Sequence, residues 1–298
     1  MHGDRSSGTR RVASCAVTLA AALVGAGPVV GRPAAAAAPA ATYVALGDSF
    51  TAGPLIPGQA GAPAGCFRST RDYPHLLAAA EGVTLADVSC SGAHTDDMAG
   101  VQRLRGGSNP PQLRSVGPAT RLVTLGIGAN DMGFTEVFTK CINLLPLRGS
   151  CRNRWAGASG DVISGRIAAT APKVAAVLAE IHRLAPSATV DVVGYPAILP
   201  VTGVGCWPVL PFTPVDVPWL RAKEVELNAM LASVAAGGGA RYVDTYGPSA
   251  GHDACASQWA RWVEPIIPPS SAAPVHPNGM GMRAVAWLVG RAVPPLRP

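Results

Sequence analysis

Five short segments of the chain are almost continuously apolar and rich in Val, Leu and Ile. Runs of this length predict β-strands buried on both faces, because a strand with one solvated face alternates polar and apolar residues. The predicted strands are Tyr43–Leu46, Val83–Val88, Arg121–Ile127, Thr189–Val193 and Arg241–Val243.

Between these strands the apolar residues recur with the spacing of an α-helix. In the longest of the helical segments, Val174, Val177, Leu178 and Ile181 fall on one face. The alternation of strand and helix predicts the α/β class, with a central parallel sheet of about five strands in one domain. The predicted helices are Tyr73–Glu81, Asp161–Leu184, Pro218–Ala235 and Gly279–Val293.

The first forty residues have the composition of an export signal. A basic segment containing Arg10 and Arg11 precedes the apolar stretch Val12–Val30, and small residues follow it. This order predicts a signal peptide over residues 1–40, cleaved between residues 38 and 41, and a secreted domain over residues 41–298. A membrane anchor is the alternative, and the arginine pair leaves the export route, Sec or twin-arginine, open.

Composition supports a folded, exported protein and argues against nucleic-acid binding. Hydrophobic residues make up 48% of the 298 and charged residues only 14%, which allows a large core. The net charge is +6, and no run of Lys or Arg forms a basic stripe. Of the seven cysteines only Cys15 lies in the leader, and the even number that remains favours disulfides. Their spacing does not fit a zinc site, so we expect no metal and no cofactor.

Small polar residues follow three of the predicted strands, and a fourth polar block precedes the last helix. Ligands of parallel α/β sheets collect at the carboxyl ends of the strands, so the first three blocks belong to one rim. Singly, Ser49 could be a helix N-cap, Gly92 a turn residue and Asn130 part of an Asx-turn. The blocks are Gly47-Asp48-Ser49, Cys90-Ser91-Gly92, Gly128-Ala129-Asn130-Asp131 and His276-Pro277-Asn278.

In this order and at these strand ends, the four blocks resemble the SGNH hydrolases, also called the GDSL esterase/lipase family, over the whole mature chain. The resemblance implies a three-layer α/β/α fold with Ser49 as nucleophile and His276 as its base. It assigns the oxyanion hole to the backbone N–H groups of Ser49 and Gly92 and to the side chain of Asn130. An α/β-hydrolase, the rival serine enzyme, needs Gly-x-Ser-x-Gly, whereas Thr51 holds the last position here.

One position departs from the family pattern. The family usually has an acid three residues before the histidine, and this chain has Ala273 there. A secreted actinomycete branch is similar in using a main-chain carbonyl instead, which implies the carbonyl of Ala273 as the group that orients His276. Asp253 and Asp244 are the alternatives. The same branch has three sequential disulfides, which implies Cys66–Cys90, Cys141–Cys151 and Cys206–Cys255.

We therefore expect a monomeric, secreted esterase or lipase that cleaves lipid or other acyl esters through an acyl-enzyme and contacts lipid surfaces transiently. A deacetylase of polysaccharides or glycosides and a catalytically silent lipid- or glycan-binding protein remain alternatives. Apolar residues in the predicted loops favour an acyl-chain groove, although each could instead fill a core beneath the loops. These residues are Leu55, Ile56, Phe67, Leu144, Leu145, Leu147, Trp207, Val209, Leu210 and Phe212.

Overall fold

The computed structural model describes residues 42–59, 63–144 and 149–293. The predicted signal peptide, residues 1–40, lies outside the described residues, as do Leu145 and Leu147. The strands are β1 Tyr43–Gly47, β2 Leu85–Asp87, β3 Gln102–Leu104, β4 Gly107–Asn109, β5 Leu122–Gly126, β6 Ala156–Gly157, β7 Gly160–Asp161, β8 Thr189–Val193 and β9 Arg241–Val243. The α-helices are α1 Ser49–Ala52, α2 Tyr73–Glu81, α3 Phe134–Cys141, α4 Arg152–Trp155, α5 Val162–Leu184, α6 Asp216–Gly237 and α7 Gly279–Ala292.

Five strands form one parallel sheet in the order β2-β1-β5-β8-β9. These are the five predicted strands, with small shifts at their ends. The chain runs outward from β1 to β2 and then returns to β5 on the other side of β1. In open α/β sheets such a reversal leaves a crevice at the carboxyl ends of the strands, where ligands bind. The segments that follow β1 and β5 carry Ser49 and Asn130, so both residues lie at this crevice.

Helices cover both faces of the sheet, as the α/β/α prediction requires. Successive side chains of a strand point to opposite faces. Tyr43 and Ala45 of β1 therefore pack with residues of α2 and α7, whereas Val44 and Leu46 pack with residues of α5 and α6. By length and composition α5 could also span a membrane, but its apolar stripe is packed in this core.

Disulfides join the loops around the crevice. Cys66–Cys90 ties the loop after α1 to the segment after β2, and Cys206–Cys255 ties the loop after β8 to the loop after β9. Cys141–Cys151 closes the loop that follows α3. This is the sequential pairing that the family resemblance implies.

The apolar loop residues divide between the core and the surface. Ile56, Leu210 and Phe212 are buried in the two hydrophobic cores, so for these three the alternative, a place in the core, is confirmed. The described loop residues that stay exposed are Leu55, Phe67, Leu144, Trp207 and Val209.

Candidate active site

Ser49 is the first residue of α1, directly beyond β1. The N-cap of this helix is Asp48, whose Oδ1 accepts the backbone N–H of Phe50 at 2.9 Å. The Ser49 hydroxyl is therefore not used as a helix cap. The turn is tight, because a Cβ on Gly47 would lie 2.7 Å from the carbonyl oxygen of Gly126 on the neighbouring strand. Only glycine allows this approach, which fixes the half-buried Ser49 at the strand end.

The structure brings Ser49 and His276 together although 227 residues separate them. The Nε2 atom of His276 lies 2.8 Å from the Ser49 Oγ. Its Nδ1 atom lies 2.7 Å from the carbonyl oxygen of Pro274. A carbonyl only accepts hydrogen bonds, so Nδ1 carries the proton and Nε2 is free to accept the serine proton. Burial lowers the pKa of His276 below its usual 6.5, which keeps the ring neutral at neutral pH.

The carbonyl that orients His276 is that of Pro274, so the prediction of Ala273 is wrong. The Ala273 carbonyl instead accepts the backbone N–H of His276 at 3.2 Å. Val275, which lies between Pro274 and His276, has a φ of 57°, a left-handed conformation that is rare for a β-branched residue. Glu264 holds the turn, because its carbonyl accepts the Val275 N–H and its own N–H donates to the His276 carbonyl, both at 3.0 Å.

The two alternative acids have other partners. The Asp253 carboxylate accepts the backbone N–H of Cys255 at 2.9 Å, next to a disulfide. The Asp244 carboxylate accepts the backbone N–H groups of Tyr246 and Gly247, at 2.9 and 3.1 Å. Both aspartates therefore stabilise loop turns, whereas the His276 ring contacts Ser49, Pro274 and the ring of Phe50.

The segments of Gly92 and Asn130 are joined to each other near the end of β1. One hydrogen of the Asn130 amide is donated to the Ala93 carbonyl at 2.9 Å, and the amide carries a second N–H. Gly92 has a φ of 77°, and a Cβ built on it would come no closer than 3.9 Å to Gln102. The backbone conformation is therefore what requires glycine here. The backbone N–H of Cys90 donates to the Gly47 carbonyl at 3.0 Å, which ties this segment to the end of β1.

Two aspartates of the motifs are structural in their contacts. Asp131 accepts the backbone N–H and the hydroxyl of Thr95, at 3.0 and 2.6 Å, and so braces the loop after Gly92. Asp48 is fully buried, and burial raises the pKa of its carboxyl to about 7. The phenol of Tyr195 donates to Asp48 Oδ2 at 2.6 Å. Sequence reasoning missed Tyr195, because a buried tyrosine after a strand gives no signal that separates it from a core residue.

Among the described residues, Asp72, His75 and Asp87 could be considered as metal ligands. Their ligand atoms lie within 4.8 Å of one another. Asp72 Oδ1 already accepts the backbone N–H of His75 at 3.0 Å and lies 2.7 Å from its Nδ1. The guanidinium of Arg68 lies 3.8 Å from Asp87 and supplies a positive charge there. Hydrogen bonds and an ion pair therefore account for the cluster, and we assign it no metal.

A serine, a histidine and amide donors at the switch point of a parallel α/β/α sheet define the class: this is a carboxylic-ester hydrolase. Residues 45–284 match the GDSL-like Lipase/Acylhydrolase family, and the chain belongs to that family. It is 40% identical to Lipase 2 of Streptomyces coelicolor over 258 residues, 85% of each chain. It is 32% identical to Lipase 1 of the same organism over 274 residues, which cover 91% of this chain and 92% of that protein.

Two solved structures of similar fold also come from Streptomyces. The phospholipase A1 from Streptomyces albidoflavus NA297 superposes with a TM-score of 0.70 at 27% identity, over 85% of this chain and 98% of that one. The extracellular lipase from Streptomyces rimosus has a TM-score of 0.65 at 29% identity, over 84% of this chain and 97% of that one. The family, the enzyme class and the three-layer fold predicted from the sequence are thus confirmed.

Proposed function

We propose that this protein is a secreted serine esterase or lipase that cleaves acyl esters through an acyl-enzyme on Ser49. The observation that carries the proposal is the 2.8 Å contact between Ser49 Oγ and His276 Nε2, with the opposite ring nitrogen held by a carbonyl. An aliphatic hydroxyl is a weak nucleophile at neutral pH, and a neutral imidazole at this distance can take its proton during attack.

In the first half of the reaction, Ser49 Oγ bonds to the ester carbonyl carbon while its proton moves to His276 Nε2. The oxyanion that forms is stabilised by the N–H groups of Ser49 and Gly92 and by the free N–H of Asn130. One such donor contributes about 10²–10³-fold in rate. Collapse breaks the bond to the alcohol, which leaves with the proton from His276. In the second half, water repeats these steps and releases the acid.

The apolar side chains next to Phe50, the residue after the nucleophile, agree with substrates that have an apolar acyl chain. They enclose a small recess of about 20 Å³, space for one water molecule, between the sheet and the helices α3 and α6. A long acyl chain would enter only after these side chains move apart, and the apolar walls would then favour its burial. The similar proteins named as lipases and a phospholipase A1 also support lipid esters. The apolar lining includes Phe50, Met132, Phe134, Phe138, Ile198 and Leu227.

Two exposed apolar side chains support transient contact with a lipid surface. Leu55 and Phe67 are 52% and 48% exposed. Each lies next to a residue whose carbonyl accepts a backbone hydrogen bond from a loop of the site, so both side chains are close to these loops. The Pro54 carbonyl accepts the N–H of Ala273, and the Cys66 carbonyl accepts the N–H of Ser91, both at 3.0 Å.

Export is part of the proposal. It is supported by the leader pattern of residues 1–40, by three disulfides that need an oxidising compartment, and by the similarity to an extracellular lipase.

The Ser49→Ala variant tests the nucleophile. We expect its kcat on p-nitrophenyl esters to fall by about 10⁴-fold or more, and labelling by a fluorophosphonate to disappear, because no other group replaces the attacking oxygen. The matched control is Ser108→Ala, which removes an exposed hydroxyl from β4. Turnover and labelling that survive in Ser49→Ala, with the circular dichroism spectrum unchanged, would show that Ser49 is not the nucleophile.

A chain-length series of p-nitrophenyl esters, from acetate to palmitate, tests the substrate class with the same wild-type protein. We expect kcat/KM to rise from acetate to medium or long chains. Activity on acetate alone would instead support the deacetylase alternative, and absence of turnover on every ester would contradict the proposed enzyme.

A further inference from the structure

Tyr195 joins two segments of the site that are far apart in the sequence. It lies just beyond β8 and is buried. Its phenol oxygen is 2.6 Å from Asp48 Oδ2 and 3.1 Å from the backbone nitrogen of Ala129. Asp48 precedes the nucleophile Ser49, and Ala129 precedes Asn130. One hydroxyl group therefore contacts the residue before each of them.

The direction of these hydrogen bonds follows from chemistry. The Ala129 N–H can only donate, so the phenol oxygen accepts there and the single phenol proton points to Asp48. The second carboxylate oxygen of Asp48 accepts the N–H of Phe50. Both carboxylate oxygens thus act as acceptors, which is the arrangement that an ionised carboxylate favours. Asp48 in turn caps the first turn of α1, which contains Ser49.

The position of Tyr195 is itself held from two sides. Its backbone N–H donates to Asn228 Oδ1 at 2.8 Å, and its carbonyl accepts from Asn228 Nδ2 at 3.0 Å. Its ring meets the ring of Phe50 edge-on, with centroids 5.1 Å apart. Because the Tyr195 side chain is held in one place, its hydroxyl can fix the positions of Asp48 and Ala129, which a mobile side chain could not do.

We infer that Tyr195 is a positioning residue, whose hydroxyl keeps the Ser49 oxygen and the Asn130 amide at a fixed separation by holding Asp48 and Ala129 together. The inference rests on the proposed roles of Ser49 and Asn130. The Asn130 amide is also bonded to Ala93, the neighbour of Gly92, so the hydroxyl secures the third oxyanion donor as well. Preorganised donors act on the transition state, so a misplaced donor lowers kcat more than it raises KM.

The test compares Tyr195→Phe with Tyr242→Phe. Tyr242 is the matched control, because its hydroxyl donates to the same Asn228 Oδ1 at 2.9 Å but belongs to β9, away from Asp48 and Ala129. For Tyr195→Phe we expect kcat to fall about 10- to 100-fold with KM within about twofold, since displacements of an ångström or less cost rates of this order. For Tyr242→Phe we expect kcat within about twofold of the wild type.

The pH profile gives a readout that a purely structural role would not move. The pKa of Asp48 is raised to about 7, because burial and the charge of Asp131 raise it more than the hydrogen bonds from the Tyr195 phenol and the Phe50 N–H lower it. Without the phenol the pKa of Asp48 rises further. The acid limb of kcat in Tyr195→Phe should therefore move to higher pH, because an ionised Asp48 is needed to cap α1. In Tyr242→Phe the limb should stay in place.

If Tyr195→Phe keeps kcat within twofold and its acid limb unmoved, the inference is wrong. Should the variant fail to fold, Asp48→Asn replaces it, and wild-type kcat in that variant overturns the inference equally. The outcome for Ser49→Ala separates a failure of this inference from a failure of the proposed function. An inactive Ser49→Ala beside an unaffected Tyr195→Phe contradicts only the positioning role, whereas an active Ser49→Ala contradicts the proposed function itself.

Discussion

The Pro274 carbonyl lies 2.7 Å from Nδ1 of His276, at the place where a catalytic triad has a carboxylate. A neutral carbonyl holds the tautomer as a carboxylate does, but it stabilises the protonated ring less. It reaches the ring because Val275, between the two residues, adopts a left-handed conformation at φ 57°. Such strain costs about 1–3 kcal/mol and persists only where neighbours enforce it. Here the hydrogen bonds to Glu264 enforce it.

This geometry predicts that no aspartate completes the site. Asp253→Asn and Asp244→Asn should each lower kcat by less than about tenfold, far below the 10⁴-fold loss of the Asp-to-Asn change in the serine protease that serves as reference. The measurement is kcat on a p-nitrophenyl ester with circular dichroism as the folding control. A loss of several orders of magnitude in a folded variant would make that aspartate, and not the Pro274 carbonyl, the partner of His276.

At the scale of elements, the site depends on how the strand ends are joined. The glycines that end β1 and β5 leave room for Thr51 of α1, since a Cβ on either would clash with its side chain. Backbone hydrogen bonds then tie the segment after β2 to the end of β1. The Cys66–Cys90 disulfide ties the same segment to the loop after α1. The segment of Gly92 is therefore held to the segment of Ser49 by covalent and hydrogen-bonded links.

The disulfides should accordingly differ in their effect on catalysis. Replacing Cys66 and Cys90 by alanine should lower both the melting temperature and kcat, because Gly92 lies two residues from Cys90. Replacing Cys141 and Cys151 should lower the melting temperature while kcat stays within a fewfold of the wild type. The loss of either cross-link should destabilise the fold by about 3 kcal/mol. The two double variants are compared by thermal unfolding and by kcat at 25 °C. Equal kcat in both would contradict a role of the Cys66–Cys90 link in the site.

At the scale of the whole molecule, several carboxyl groups are buried where charge is disfavoured. Burial raises the pKa of Asp48 and of Asp72 to about 7, and that of Asp87 well above its usual range. The folded state therefore retains protons that the unfolded chain has lost above about pH 4. Stability consequently falls as pH rises through this window. Two histidines act in the opposite sense, because burial lowers the pKa of His75 and His276.

We expect the melting temperature to decrease from about pH 4.5 to pH 7, since the carboxyl shifts outweigh those of the two histidines. Asp87→Asn should flatten this slope, because it removes a buried acid whose pKa is raised by burial and by the charge of Asp72. The control is Asp97→Asn, at a surface turn. Differential scanning calorimetry in buffers of low ionisation enthalpy measures the slope. A melting temperature that rises with pH over this range would contradict the buried protons.

The amino-acid sequence by itself determined the strands, the long helices and their alternation. Apolar runs such as Thr189–Val193 and helical spacings such as that of Val174 to Ile181 are local, and the three inner strands of the sheet are buried on both faces as the runs predict. The four polar blocks were also visible, because three of them directly follow strands. The ends of elements were less certain: α6 begins at Asp216, two residues before the predicted start, since proline is tolerated in a first helical turn.

Only the tertiary structure decided how these blocks are oriented. The choice of the Pro274 carbonyl over Ala273 depends on the backbone angle of Val275, which neighbours 11 residues away in the chain impose. The contact of Tyr195 with Asp48 joins residues 147 positions apart. Neither feature leaves a pattern in the local sequence. The left-handed conformation of Val275 and the hydrogen-bonded phenol of Tyr195 both depend on residues that are distant in the chain and packed against them.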